Sequence, residues 1–336
     1  MRSAVMAALL LLCAPLSSAQ EPLYTLTSAH LGDGFGASVV TLGDLDGDGV
    51  HELAVGASVR GEVLIFSGAD GTRLRTLRGE PGFGTKLAVV DLPEANGLVL
   101  VVGAPALPGE ISTRAFGCDD GQSLTELVGA ELPFGVAAAL DSLPGPAWAR
   151  SLLTAEQGPG VTRAALALGD LDGDGEPDWG DCSPFALPDL QSGMATIMFS
   201  SAADAFELRS GRSDDAFGWC LAAAGDVDGD GHDDVLVGAP GDDTHFDDAG
   251  AAYVFSGANG AQLFTLFGQS PGERLGSLVR GLGDVDGDGL SDVAVSAQTD
   301  VIHGGGRGEL RVYSSVASGR TSGAGPGAAA AGPAMH

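Results

Sequence analysis

The twelve residues Asp226–Val237 read DVDGDGHDDVLV, and the pattern occurs four times in the chain. Carboxylates stand at positions one, three, five and nine. They are Asp44, Asp46, Asp48 and Glu52; Asp170, Asp172, Asp174 and Asp178; Asp226, Asp228, Asp230 and Asp234; and Asp284, Asp286, Asp288 and Asp292. Position seven, held by Val50, Glu176, His232 and Leu290, offers a backbone carbonyl. Hard cations such as Ca²⁺ take about six to eight oxygens in a flexible cage, and this spacing supplies them from one tight turn. A single copy would pass as a polar turn, since Asp and Gly are common turn residues. Four copies with one internal spacing argue for ligation, and predict about four Ca²⁺ per chain.

The loop differs from an EF-hand, which needs a bidentate Glu at position twelve and flanking helices. Position twelve here is Val55, Asp181, Val237 and Val295. The flanks, such as Ala37–Leu42 and Leu53–Gly56, are short apolar runs bounded by Gly, the signature of buried strands. The cation turn is therefore expected to close a β-hairpin.

The loops belong to a longer repeat. Two degenerate copies fill the gap between the first and second: FGTKLAVVDLPEANGLVLVVGAP from Phe83 keeps only Asp91 of the cage, and FGVAAALDSLPGPAWARSLLTA from Phe134 keeps only Asp141. Each fuller copy carries four strand-like pieces, with a second hairpin closed by Asp70-Gly71, Asp120-Gly121 or Asn259-Gly260. Such pairs tolerate positive φ and favour hairpins. Four antiparallel strands per repeat of about 50 residues describe a propeller blade. Leu23–Leu26 resembles a fourth strand without a blade, and the last repeat, with Glu309–Ser314 as its third strand, lacks a fourth. The N-terminal strand is thus expected to complete the last blade, removing exposed sheet edges. Turn positions give six blades; the interval of 29 residues between Asp141 and Asp170 is short for a full blade and leaves five or seven open.

Composition sets the compartment. Arg2, the apolar run Ala4–Leu16 and the small residues Ser17–Ala19 make 1–19 a secretory signal too short to span a membrane. Leu12 before Cys13 disfavours lipid attachment at that cysteine. The propeller is expected over 20–315, followed by a disordered Gly/Ala/Ser/Pro tail over 316–336. A net charge of −29 argues against nucleic acid and anionic membrane as partners. Past the signal, Cys118, Cys182 and Cys220 allow at most one disulfide.

Phe217-Gly218, then Asp226–Pro240, then Ala252–Phe255 resemble an FG-GAP repeat, the unit of the β-propeller in integrin α subunits and in many secreted bacterial proteins. The resemblance covers about Pro22 to Ser314. It implies an all-β fold of FG-GAP blades, calcium turns on one face, interaction loops on the other, and roles in adhesion or surface contact. The leg and transmembrane regions of integrins have no counterpart in the sequence, so binding to an integrin β subunit is not implied.

The loop Gly241–Gly250, GDDTHFDDAG, is the longest between second and third strands in a well-formed blade. Asp242, Asp243, His245 and Phe246 there, with His303 in the equivalent loop of the next blade, are candidate partner-binding residues. The same His and Asp residues also fit a transition-metal site or a solvated loop. No nucleophile elbow, zinc-protease helix, Walker loop or dinucleotide fingerprint is present. The sequence thus favours a secreted, calcium-stabilised module that binds an extracellular protein or glycan and is not an enzyme. A propeller enzyme acting on glycans and a structural envelope component stay open as alternatives.

Overall fold

The computed structural model describes residues 21–92, 97–105, 111–118, 124–126, 166–184, 193–200, 205–210, 214–298 and 308–315. The expected signal, the degenerate turn at Asp141 and the C-terminal tail lie outside them. Among the described residues the fold is all β, with twenty strands in five four-stranded antiparallel sheets.

The first sheet is β2 (Phe35–Thr41), β3 (Leu53–Ala57), β4 (Glu62–Phe66) and β5 (Arg73–Arg78). The second is β6 (Lys86–Leu92), β7 (Gly97–Pro105), β8 (Ile111–Cys118) and β9 (Leu124–Glu126). Next come β10 (Leu166–Gly169), β11 (Asp178–Ser183), β12 (Met194–Met198) and β13 (Ala205–Leu208), then β14 (Cys220–Gly225), β15 (Asp234–Ala239), β16 (Ala251–Phe255) and β17 (Gln262–Phe267). The last sheet joins β18 (Leu275–Gly283), β19 (Asp292–Ala297) and β20 (Glu309–Tyr313) to β1 (Tyr24–Thr27). Four sheets are meanders and the fifth has the same antiparallel order with β1 in the fourth place, so each is one propeller blade. The expected third repeat falls on 127–165, outside the described residues.

The N-terminal strand completes the last blade, as the sequence predicts. Strand β1 pairs antiparallel with β20, with Tyr24 opposite Val312 and Leu26 opposite Leu310. The last blade also packs on the first through β18 and β2. Tyr24 Oη donates to the Gly68 carbonyl in the outer turn of the first blade. A strand from one end of the chain thus fastens the other end and gives the last blade its fourth strand.

Burial explains the layering. All residues of β3, β15 and β19 are buried, because each second strand lies between neighbouring blades. The fourth strand β5 is largely exposed, and its polar residues, Arg73, Arg75, Thr76 and Arg78, suit the outer rim. Their sequences follow: near-continuous Val, Leu and Ala inside, alternation outside.

The Phe-Gly pair is the hinge of blade packing. Phe35, Phe83 and Phe217 are buried and meet Phe66, Phe116 and Phe255 of their own third strands edge to face, with centroids 6.1, 6.2 and 6.0 Å apart. The following glycines have φ of 80° at Gly36, 86° at Gly84 and 83° at Gly218, and Gly276, which follows Leu275 in the Phe place, has φ of 88°. The glycine that opens the second half of the motif meets this pair across the blade boundary. A Cβ at Gly56 would stand 2.0 Å from the Gly84 carbonyl oxygen, and one at Gly238 would stand 2.1 Å from that of Gly276. Backbone touches backbone there, and only glycine leaves room.

Gly238→Ala is therefore expected to destabilise the fold by about 1–3 kcal/mol through overpacking. Alanine at the outer-rim position Arg75 should change stability by less than about 0.5 kcal/mol. Denaturant titration of the two variants checks the contrast.

Candidate metal centre

Each of the four full turns adopts one geometry. In the third, Asp226 Oδ1 accepts from the Gly229 N–H at 2.7 Å and Oδ2 from the Gly231 N–H at 3.0 Å. Asp228 Oδ1 accepts from the Asp230 N–H at 3.0 Å, and Asp230 Oδ1 from the His232 N–H at 2.9 Å. The same bonds recur from Asp44, Asp46 and Asp48, from Asp170, Asp172 and Asp174, and from Asp284, Asp286 and Asp288. Glycines at positions four and six hold φ between 78° at Gly173 and 91° at Gly231, where a side chain would be strained. The pattern in the sequence is thus a backbone requirement as well as a ligand pattern. A carboxylate oxygen that accepts one N–H keeps a second lone pair for a cation.

Position nine differs from the rest. Glu52, Asp178, Asp234 and Asp292 are fully buried, whereas the carboxylates at positions one, three and five are partly or fully exposed. Asp234 Oδ2 accepts from the Val227 N–H at 2.8 Å, and Oδ1 from the Gly257 N–H at 3.1 Å, just past the third strand. Asp178 holds Leu171 and Ser200 at 2.8 and 2.7 Å, and Asp292 holds Val285 and Ser315 at 2.8 and 3.0 Å. The ninth carboxylate therefore ties the start of the turn to the exit of strand three. Glu52 is one methylene longer. Its Oε2 accepts from the Leu45 N–H, and its Oε1 is buried without a hydrogen-bond partner.

Carboxylate oxygens converge in all four turns. One oxygen from each of Asp44, Asp46, Asp48 and Glu52 lies within 4.8 Å of the others. The same spacing unites Asp170, Asp172 and Asp178; Asp226, Asp228 and Asp230; and Asp284, Asp286 and Asp292. Asp174, Asp234 and Asp288 stand in their turns but outside these closest groups. All-oxygen sets of this kind suit a hard divalent cation, and the orphaned Glu52 Oε1 is a lone pair that a cation would satisfy. Position seven contributes its N–H to the carboxylate at position five, from Val50, Glu176, His232 and Leu290.

Electrostatics point the same way. Burial pushes Asp234 up to about 6 and Asp292 up to about 7, partly offset by the backbone N–H groups and reinforced by the neighbouring carboxylates. Glu52, Asp178 and Asp228 move up from the same leading cause. A positive charge in the turn would relieve this crowding.

The other candidate loop is divided. Asp242 is buried; its carboxylate accepts from the Thr244 N–H at 2.7 Å and from Tyr253 Oη at 2.5 Å, so it braces the loop from within. Asp243, His245 and Phe246 are exposed, with His245 resting on the Phe267 ring at 4.3 Å. His303 lies outside the described residues. The four acid groups of the turns are the clusters that fit a metal among the described residues, and this loop is not one of them. Cys182 and Cys220 are free thiols, and burial pushes Cys182 up to about 11.

What the sequence reading missed is the acid two residues before the Phe-Gly pair. Asp33 and Asp215 are buried, accept from the Phe35 and Phe217 N–H at 3.1 and 3.0 Å, and take a hydroxyl bond from Ser28 and Ser210. The signal was present as Asp-x-Phe-Gly in both copies.

Comparison with known proteins follows this geometry. The FG-GAP repeat matches residues 35–72 and 217–255. The chain is similar to integrin alpha-IIb of Homo sapiens, 32% identical over 169 residues, covering 44% of this chain and 15% of that protein. It is similar to integrin alpha-V of Gallus gallus, 30% identical over 164 residues, with 46% and 15% covered. The chain thus spans about a seventh of the curated relatives it matches. A thermostable family-43 glycoside hydrolase aligns with a TM-score of 0.40 at 10% identity, over 90% of this chain and 99% of that one.

Two outcomes follow. Asp234→Ala orphans two buried N–H donors and should cost at least about 2 kcal/mol even in chelator, whereas Asp228→Ala should lower stability only when Ca²⁺ is present. Chemical denaturation in both buffers separates them. The pH trend is also signed. Because Asp234 and Asp292 are raised in the fold, the native state binds more protons than the unfolded chain between about pH 4 and 7. In chelator, stability should be greatest at the acidic end and fall as pH rises through that window. In saturating Ca²⁺ the slope should invert, since protons then compete with the cation. Melting temperatures at pH 5 and 7 in each buffer read both signs.

Proposed function

We propose that this chain, an FG-GAP repeat protein with integrin alpha-like blades, is an extracellular propeller that holds about four structural Ca²⁺ and binds a protein or glycan. The observation that carries the reading is the fourfold recurrence of converging carboxylate oxygens on one hydrogen-bonded turn geometry. A cage built for catalysis needs an open, differentiated site; four equivalent cages at hairpin turns serve the hairpins. Asp44, Asp46, Asp48 and Glu52, and their counterparts in the other three turns, would hold the cations. The cation would supply charge neutralisation and fixed coordination, clamping the turn between two inner strands. The ninth carboxylate passes that order to the exit of the third strand.

Recognition then falls to the loops at the opposite end of the blades. Asp243, His245 and Phe246 stand there on a rigid frame. Similarity to integrin α subunits supports adhesion or surface contact as the class of role, and the N-terminal apolar run supports export. The acidic surface disfavours nucleic acid and anionic lipid.

Native mass spectrometry of the dialysed mature chain should count about four calcium ions, falling to about three in an Asp44→Ala/Asp46→Ala variant. A panel of extracellular-matrix proteins and glycans should show retention of the chain that drops on Phe246→Ala with the calcium count unchanged. A chain without bound calcium, or retention that ignores the loop, contradicts the proposal.

A further inference from the structure

Neighbouring turns touch, and they do so through one peptide. The N–H of Ser291, at position eight of the last turn, donates at 2.8 Å to the carbonyl of Asp226, the first residue of the preceding turn. One blade earlier, the Asp233 N–H approaches the Asp170 carbonyl at 3.5 Å, and the Asp233 carboxylate accepts from the Asp170 backbone. The glycines before each turn are fitted to these contacts. A Cβ at Gly225 would lie 2.3 Å from Ser291 Oγ, and one at Gly169 would lie 2.0 Å from Asp233 Oδ2. Position seven lies against the same segment: a Cβ at Gly229 would stand 3.2 Å from the Leu290 side chain, and one at Gly173 would stand 3.1 Å from the His232 ring. At the seam where the ring closes, the pattern stops. A Cβ at the equivalent Gly283 or Gly287 would meet nothing within 4 Å.

The peptide plane between Leu290 and Ser291 is shared property. Its carbonyl is the position-seven oxygen of the last turn; its N–H grips the first residue of the turn before. The plane is rigid, so fixing it for one cage fixes a ligand residue of the other. Coupling of this kind is reciprocal by thermodynamic necessity.

Resting on the reading of the turns as cation sites, we propose that the turns at Asp170, Asp226 and Asp284 load as one coupled unit, while the turn at Asp44 loads independently. Ser291 and Asp233 are the positioning residues. The chain of contacts ends at the Asp170 turn, where position eight is Pro177 and has no N–H to offer a preceding blade.

Pro177 also supplies the test, because it shows that this turn accepts proline at position eight. Calorimetric titration with Ca²⁺ alone is made on the full mature chain with the first turn silenced by Asp44→Ala/Asp46→Ala. The remaining three sites should fill with a Hill coefficient of about 1.5 or more. Adding Ser291→Pro should lower that coefficient towards one and weaken the midpoint about fivefold. If that variant does not fold by circular dichroism, Asp233→Ala removes the carboxylate that accepts from the Asp170 backbone at the other junction and should lower the coefficient in the same direction. Three calcium ions binding with a Hill coefficient of one, or a coefficient unmoved by either substitution, overturns the coupling. A wild-type chain that binds no calcium overturns the cation reading itself, and the coupling with it.

Discussion

Everything at one end of this propeller depends on a buried carboxylate at position nine of the turn. Asp234 has no exposed surface, yet both its oxygens accept backbone N–H groups, one from the head of its own turn and one from beyond the third strand. A buried polar group stabilises only when its bonds are made, so the side chain fixes the distance between two loops. Asp178 and Asp292 repeat the arrangement. The exposed carboxylates of the turn are then held close together by the turn's own N–H groups, where their like charges repel one another.

The blade boundary is a second constraint, and glycine sets it. The Phe-Gly and Gly-Ala-Pro halves of the repeat, or the Leu-Gly and Gly-Ala-Ser that stand in their places, lie far apart in sequence within a blade but meet across the boundary, Gly56 on Gly84 and Gly238 on Gly276. The motif is therefore an imprint of packing between blades. The cation turns sit at the same boundary's far end, which is why Ser291 can reach Asp226.

Much of this was legible before the fold was known. Fixed spacing revealed the turns, short apolar runs bounded by glycine revealed the strands, and the unmatched Leu23–Leu26 revealed the closure, now seen as Tyr24–Thr27 beside Glu309–Tyr313. Boundaries moved by a residue or two because Phe35-Gly36 continues into strand β2, whereas Phe217-Gly218 precedes β14. Contacts between blades were not legible. Nothing local distinguishes Ser291 from His51, both at position eight; only the neighbour differs. Asp242 read as an exposed loop acid because its partner, Tyr253, lies on the following strand. Long-range pairing, and not propensity, decides such residues.

The central claim is that the turns are cation cages on which the fold leans. The direct test is thermal unfolding of the mature chain in EDTA and in millimolar Ca²⁺. A ligand that binds only the native state raises the midpoint by mass action, so the bound cations should move it by about five degrees or more, on the order expected for about 3–4 kcal/mol in a chain of this size. An unchanged midpoint would contradict the account and reduce the four turns to acidic hairpin ends.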